Sequence, residues 1–269
     1  MGWYGKEKAY SGTVWYADIG TDIYLACEAN GYMKNNTDKN SLDWDRTAHL
    51  FKLGIIAAVI ALIGGDMLLG WGTVDESLSG MEQYFSRYAV VSDLRVFWAA
   101  LLGFIAITIE TMCFFGTYRL IDSVSHKTAH IYRAGLIGML VSGPLCHILC
   151  CADIYHFNAV NRINHEYAID EALRFAKMFL VPVTVIFLIF FILMNVVQIW
   201  AFLKGKTPYP RWCWIFCMLT GVVDIIIMKI IGNHAWAYAL STGWLSFGCI
   251  VTFSGLLINM NKAKKNIPA

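Results

Sequence analysis

The sequence predicts an all-α protein, a polytopic six-helix transmembrane bundle with both termini in the cytoplasm. Three observations predict it. Of the 269 residues, 58% are hydrophobic and only 15% charged, where a soluble domain is about 45–50% apolar and about 25% charged. Six apolar runs, roughly 53–72, 96–117, 133–153, 178–203, 212–231 and 236–259, reach the about twenty helical residues that a hydrocarbon core of about 30 Å requires. Lys and Arg, finally, are distributed unequally between alternate loops. One side carries thirteen, in Lys34–Lys52, Arg119–Arg133, Lys204–Arg211 and the tail Lys262–Lys265; the other carries five, Arg87, Arg95, Arg162, Arg174 and Lys177. Cytoplasmic loops retain positive charge, and an even number of crossings puts both termini on one side, so the two inferences agree.

The elements follow in order. Residues 1–48 form an N-terminal cytoplasmic segment, in which Trp15, Ile19, Ile23 and Cys27 recur every fourth residue. That spacing fits an amphipathic helix on the membrane surface or a local helix packed on the bundle, and 33–45 then reads as a polar linker. Span one closes on GGDMLLGW, which places Asp66 among apolar neighbours. Ser92 caps span two. In span three, Gly135, Gly138, Ser142 and Gly143 permit close helix approach, and Pro144 removes a helical hydrogen bond one turn before His147. Asn195 and Gln198 in span four read as interhelical hydrogen-bonding residues. Lys204-Gly205, with Pro208 and Pro210 beyond, reads as a helix stop. Span five carries Asp224 and Lys229. Span six has a packing stripe of Ser241, Gly248 and Gly255, and 262–269 is a basic tail.

Trp71, Trp98, Trp200, Trp212, Trp214 and Trp236 fall near span ends, as an interfacial aromatic belt requires. Of eight cysteines only Cys27 lies outside the apolar runs, so no disulfide framework is expected. The first apolar run begins after about fifty mostly polar residues, which argues against a secretory signal peptide. A net charge of +2 gives no reason to expect a nucleic-acid partner; membrane lipids are the expected partners, and the expected location is the cell membrane. The sequence specifies neither a cofactor nor an oligomeric state.

Charged side chains near a bilayer centre cost about 2.5–3.5 kcal/mol on insertion scales and therefore face a bundle interior or a wet cavity. Asp66, Glu110, His147 and Asp224 are the catalytic candidates on this basis. Lys229, Asp153, His156 and His234 are candidates for substrate contact or ion pairing. At about 1.5 Å per residue, Asp66, His147 and Lys229 share one level in the outer half of the bundle, which makes Lys229 the obvious ion-pair partner for Asp66. Asp224 lies near mid-depth and Glu110 slightly to the cytoplasmic side. The run CHILCCADIYH, Cys146 to His156, invites a zinc reading. Helical geometry weakens it: Cys151 shares a face with His147, but Asp153 lies about 120° away and His156 nearly opposite. Asp224 and Lys229 point about 140° apart on one helix, which rejects a retinal-type lysine with its counter-ion.

At GGDMLLGW the first span resembles that of small bacterial multi-pass proteins of unknown function with a GDxLL-type helix. Through Gly65, Asp66, Leu68 and Leu69 it also resembles lysoplasmalogenase-type membrane hydrolases. That likeness implies that an intramembrane aspartate carries the chemistry, although those proteins have about eight spans. Alkaline-ceramidase-like hydrolases also combine Ser, Asp and His among helices, but their terminal HxxxH is missing here, since His234 stands alone in GNHAW.

Three functions follow. The first is an intramembrane hydrolase of a lipid or amphiphile, with Asp66 and His147 as an acid–base pair and Glu110 or Asp224 orienting a water or metal. The absence of a GxSxG elbow favours activated water over an acyl-enzyme. The second is a proton-coupled transporter using the same groups as a relay, against which stands the lack of internal repetition. The third is a non-catalytic sensor or assembly protein in which the buried charges only pair.

Overall fold

A computed structural model describes residues 42–266. The predicted amphipathic helix at Trp15–Cys27 and all but the end of the 33–45 linker lie outside them. Among the described residues the protein is all-α. Its helices are α1 (Trp44–Gly70), α2 (Gly80–Ser86), α3 (Asp93–Asp122), α4 (His126–Asn161), α5 (His165–Leu203), α6 (Thr220–Ile231), α7 (Ala235–Thr242) and α8 (Trp244–Lys264). Five of these, α1, α3, α4, α5 and α8, are long and apolar enough to cross a membrane.

Helix starts follow local chemistry. Asp43 caps α1 by accepting from Arg46 N at 2.9 Å, so the first helix begins nine residues before the apolar run that signals it. Ser92 caps α3 through Arg95 N, as expected. Leu203 ends α5, and Gly205, at φ 65°, turns the chain where a side chain would strain it. α4 runs unbroken through Pro144.

The expected fifth span is not a full-length helix. Its first part is a 3₁₀ turn at Arg211–Ile215, and α6 then supplies twelve residues, about 18 Å of rise. The irregular backbone is satisfied from outside: Gln198 Nε2 on α5 donates to Phe216 O at 2.9 Å, and Gln198 is itself fully buried. Non-helical backbone at membrane depth is tolerated where protein covers it in this way. Glycines set the packing of α6 on α8. A Cβ on Gly221 would stand 1.8 Å from Trp244 O, and one on Gly248 2.3 Å from Met218 O. The expected sixth span is likewise two pieces, α7 and α8, joined at Gly243.

Two layers of core hold the bundle. One surrounds Phe253, whose ring centroid lies 5.9 Å from that of Phe51 and 4.5 Å from that of Phe114, with Phe253 over Gly54. It continues through Tyr132, Met194 and Phe202. The other gathers Leu69, Phe85, Ala99, Cys151 and Phe157 at the opposite end. α4 and α5 meet closely because Gly135 lies against the Met194 backbone and Gly138 under the Phe190 ring. α5 presents the largest outward face: 28% of its most apolar window is buried, against 44–50% in the other four long helices.

The bundle ends are joined by contacts between connections. At the basic end, Lys206 donates to Thr128 Oγ1 at 3.2 Å and stands 3.8 Å over Trp200, and Tyr209 donates to Leu256 O. At the distal end, Asn233 donates to Val74 O and Glu76 Oε1 and accepts from Val74 N, while Arg162 forks onto Asp93 at 2.9 and 3.1 Å. The six belt tryptophans are 41–48% exposed, as residues between hydrocarbon and headgroups should be.

Candidate functional site

The site is assembled from the turn that carries Asp66. Residues Ala61–Met67 wind as a π-helical turn within α1, a local widening that recurs at functional sites. Gly64-Gly65 makes this possible. A Cβ on Gly65 would lie 2.9 Å from the Gly103 Cα, so α1 and α3 touch backbone to backbone. The His147 imidazole, from α4, fills the space beside them. A Cβ on Gly103 would stand only 2.0 Å from His147 Nε2; Gly103 is the seat of the ring. Gly243 does the same for α8. Its missing side chain lets the α7–α8 joint come within van der Waals range of Asp66 and Leu62.

Three helices then deliver three side chains to one point. His147 Nδ1 lies 3.5 Å from Asp66 Oδ1. Ser246, in the first turn of α8, donates from Oγ to Asp66 Oδ2 at 2.9 Å. His147 Nε2 lies 3.0 Å from Ala99 O. All three residues are at least nine-tenths buried. The tautomer follows from the partners. A carbonyl only accepts, so Nε2 carries a hydrogen and donates it to Ala99 O. Nδ1 therefore faces the carboxyl either as an imidazolium opposite a carboxylate or as a lone pair opposite a carboxylic acid. The partial positive charge at the start of α8 also faces Asp66.

This is not a serine-protease-type relay. There the hydroxyl bonds to the imidazole and the imidazole to the acid. Here the acid sits in the middle, with Ser246 on one oxygen and His147 on the other. Asp66 is thus the hub of the cluster, with a neighbour from another helix at each carboxyl oxygen. Sequence reasoning missed Ser246, which lies off the 241/248/255 stripe; the signal for it is Gly243, three residues earlier, which permits the approach.

Glu110 lies seven residues after Gly103 on α3, two turns toward the basic end. It is 1% exposed, its Oε2 has no hydrogen-bond partner, and Cys249, one turn after Ser246, is its neighbour. The other sequence candidates are elsewhere. Asp224 is buried on α6 with Oδ2 unpartnered, and no hydrogen bond or ion pair joins it to Asp66 or His147 among the described residues. Lys229 is exposed, and Asp66 pairs with His147 in its place. The expected Asp66–Lys229 partnership fails because equal depth says nothing of azimuth: Lys229 shares an outward face with Ile226 and Ile230. Asp153 is buried with Oδ1 unpartnered. His156 packs on Phe175, and His234 stacks on Trp236 at the distal surface. Among the described residues no three His, Cys, Asp or Glu side chains converge as a metal site.

The same end is tied down over the cluster. α7 packs on the π-helical turn, with Gly70 against Thr242. Arg87, buried among Tyr84, Tyr88 and Tyr238, holds the 71–92 connection to α7 through its guanidinium, which lies 4.5–5.1 Å from the three ring centroids.

Five membrane-length apolar helices around a buried acid, imidazole and hydroxyl define a multi-pass integral membrane protein. Residues 33–263 match DUF6796, a family of unknown function, and the chain belongs to that family. No curated protein and no solved structure gives a significant match. The likeness to lysoplasmalogenase-type hydrolases thus gains no support from any relative, whereas membership of a family of unknown function agrees with the first resemblance drawn at GGDMLLGW.

Proposed function

We propose that this DUF6796 member is an intramembrane hydrolase of a lipid or amphiphile in the cell membrane, with six crossings and both termini cytoplasmic. Asp66 and His147 are its acid–base pair. The observation that supports this most is the meeting of Asp66, His147 and Ser246 from three helices at one buried point. A water next to Asp66 gives up a proton to the carboxylate as its oxygen bonds to the electrophilic carbon or phosphorus of the substrate. The bond to the leaving oxygen then breaks, and that oxygen takes the proton back from the Asp66–His147 pair. Water is consumed, and an acid and an alcohol are released. His147 holds its orientation through Ala99 O, and Ser246 fixes the carboxylate plane. General acid–base assistance of this kind contributes about 10²–10⁴-fold.

The experiment is turnover of ester- and phosphoester-bearing lipids by the purified full chain in nanodiscs. Asp66→Asn and His147→Ala should lower turnover by about 10²-fold or more while the helical circular dichroism stays unchanged. Full activity in both variants removes the catalytic assignment.

One observation favours a second reading, a proton-coupled transporter. The unpartnered Glu110 Oε2 lies below the cluster toward the basic end, and Ser246 and Cys249 occupy successive turns between Asp66 and Glu110. Proteoliposomes with a trapped pH dye distinguish the two: proton flux that disappears in Glu110→Gln, without lipid turnover, selects transport.

A further inference from the structure

We infer that an open groove of about 310 Å³, lined by Ile63, Met67, Leu68, Trp71 and Arg95, binds one acyl chain of an anionic glycerolipid with its phosphate at Arg95. Ligand pockets begin at about this volume. Four of the five lining residues are apolar, and the fifth is a cation. Arg95 Nε and Nη2 donate to Leu68 O and Trp71 O at 2.8–3.2 Å, closing the last turn of α1. Those bonds hold the guanidinium in place and leave Nη1 without a partner, and no carboxylate lies within ion-pair distance of Arg95 among the described residues. The charge complement is therefore an anion from outside the protein.

Depth supports the assignment. Trp71 and Trp98, both about half exposed, mark the interface at this end, so Arg95 stands at headgroup level. From Trp71 to Ile63 the groove descends eight residues, about 12 Å, into the hydrocarbon. Its floor is part of the turn that carries Asp66, since Ile63 and Met67 both belong to Ala61–Met67. On α3, Arg95 is one turn above Ala99, the residue that holds His147. A glycerolipid with its phosphate at Arg95 has its acyl ester bonds about one turn deeper, at the level of the Asp66–His147 pair. This last step rests on the hydrolase proposal; the binding itself does not.

The test is photolabelling of the purified full chain in phosphatidylcholine nanodiscs with diazirine-acyl phosphatidic acid or diazirine-acyl phosphatidylcholine, mapped by mass spectrometry. The expected result is labelling of the 63–71 segment that favours phosphatidic acid about fivefold, the worth of one cation at a membrane surface. Arg95→Gln should abolish the preference. Met67→Trp, which fills the groove and leaves the α1 cap intact, should abolish labelling by both probes, so the test stands even if Arg95→Gln fails to fold. Equal labelling by the two headgroups, or labelling that survives Met67→Trp, overturns the site. Selective labelling without hydrolysis of phosphatidic acid by the natural chain retains the groove and counts against the hydrolase alone.

Discussion

Gly103→Ala puts a methyl carbon 2.0 Å from His147 Nε2, well inside any contact distance, so the imidazole must leave its seat. Two costs follow. Overpacking of this kind is worth about 1–3 kcal/mol, and the displaced ring leaves the Asp66 carboxyl without one of its two partners, another about 1–3 kcal/mol. The single variant should therefore lose about 2–6 kcal/mol. His147→Ala removes the obstruction, and in that background the new methyl enters vacated space. The double variant should be no less stable than His147→Ala alone. The coupling energy then equals the full cost of the single variant, about 2–6 kcal/mol, at or above the usual range of about 0.5–3 kcal/mol for residues in direct contact. Reversible unfolding of the four proteins in mixed micelles, followed by circular dichroism, measures it. Additive effects within about 0.5 kcal/mol would refute the placement of the ring between α1 and α3.

Other outcomes follow from the same geometry. Ser246→Ala removes a hydrogen bond to a buried carboxyl group and should cost about 1.5–3 kcal/mol, whereas Ser246→Thr, which restores the hydroxyl, should recover part of it in the same unfolding assay. Asn233→Ala loses three bonds to Val74 and Glu76; hydrogen exchange of the 72–79 connection should accelerate while that of Ala99–Ala106 stays unchanged. Gly221→Ala drives a methyl into Trp244 O and should exceed about 3 kcal/mol, in the tail of single-substitution effects. Gly80→Ala meets nothing within 4 Å but sits at φ 61°, so about 1–2 kcal/mol of backbone strain is its whole cost.

Hydrophobic run length made the long helices legible, because a helix crossing lipid has to present about twenty apolar residues whatever its neighbours are. Caps were legible where they are local, as at Ser92. The break in the fifth run was not. Nothing in 212–219 alone shows that Gln198, on another helix, stands ready to satisfy Phe216 O. Nor does the seam at Gly243 show in an apolar run that continues across it. In the site, depth along alternating helices anticipated Asp66 with His147, since rise per residue is nearly constant. Azimuth was not available to the same reasoning. It decides that Lys229 faces outward with Ile226 and Ile230, that His156 meets Phe175, and that Ser246 meets Asp66. The start of the first helix at Trp44 was obscured because residues 44–48, which include Asp45 and Arg46, are polar enough to read as part of the N-terminal segment, although buried Thr47 packs them on the bundle.

The pairing of Asp66 with His147 is most directly tested by nitrogen NMR of the full chain with ¹⁵N-labelled histidine, His147 being assigned by its loss in His147→Ala. Nε2 should carry a hydrogen, held by Ala99 O, and the Nδ1 resonance should shift when Asp66 is replaced by Asn. An unprotonated Nε2, or an Nδ1 resonance indifferent to Asp66→Asn, contradicts the acid–base pair.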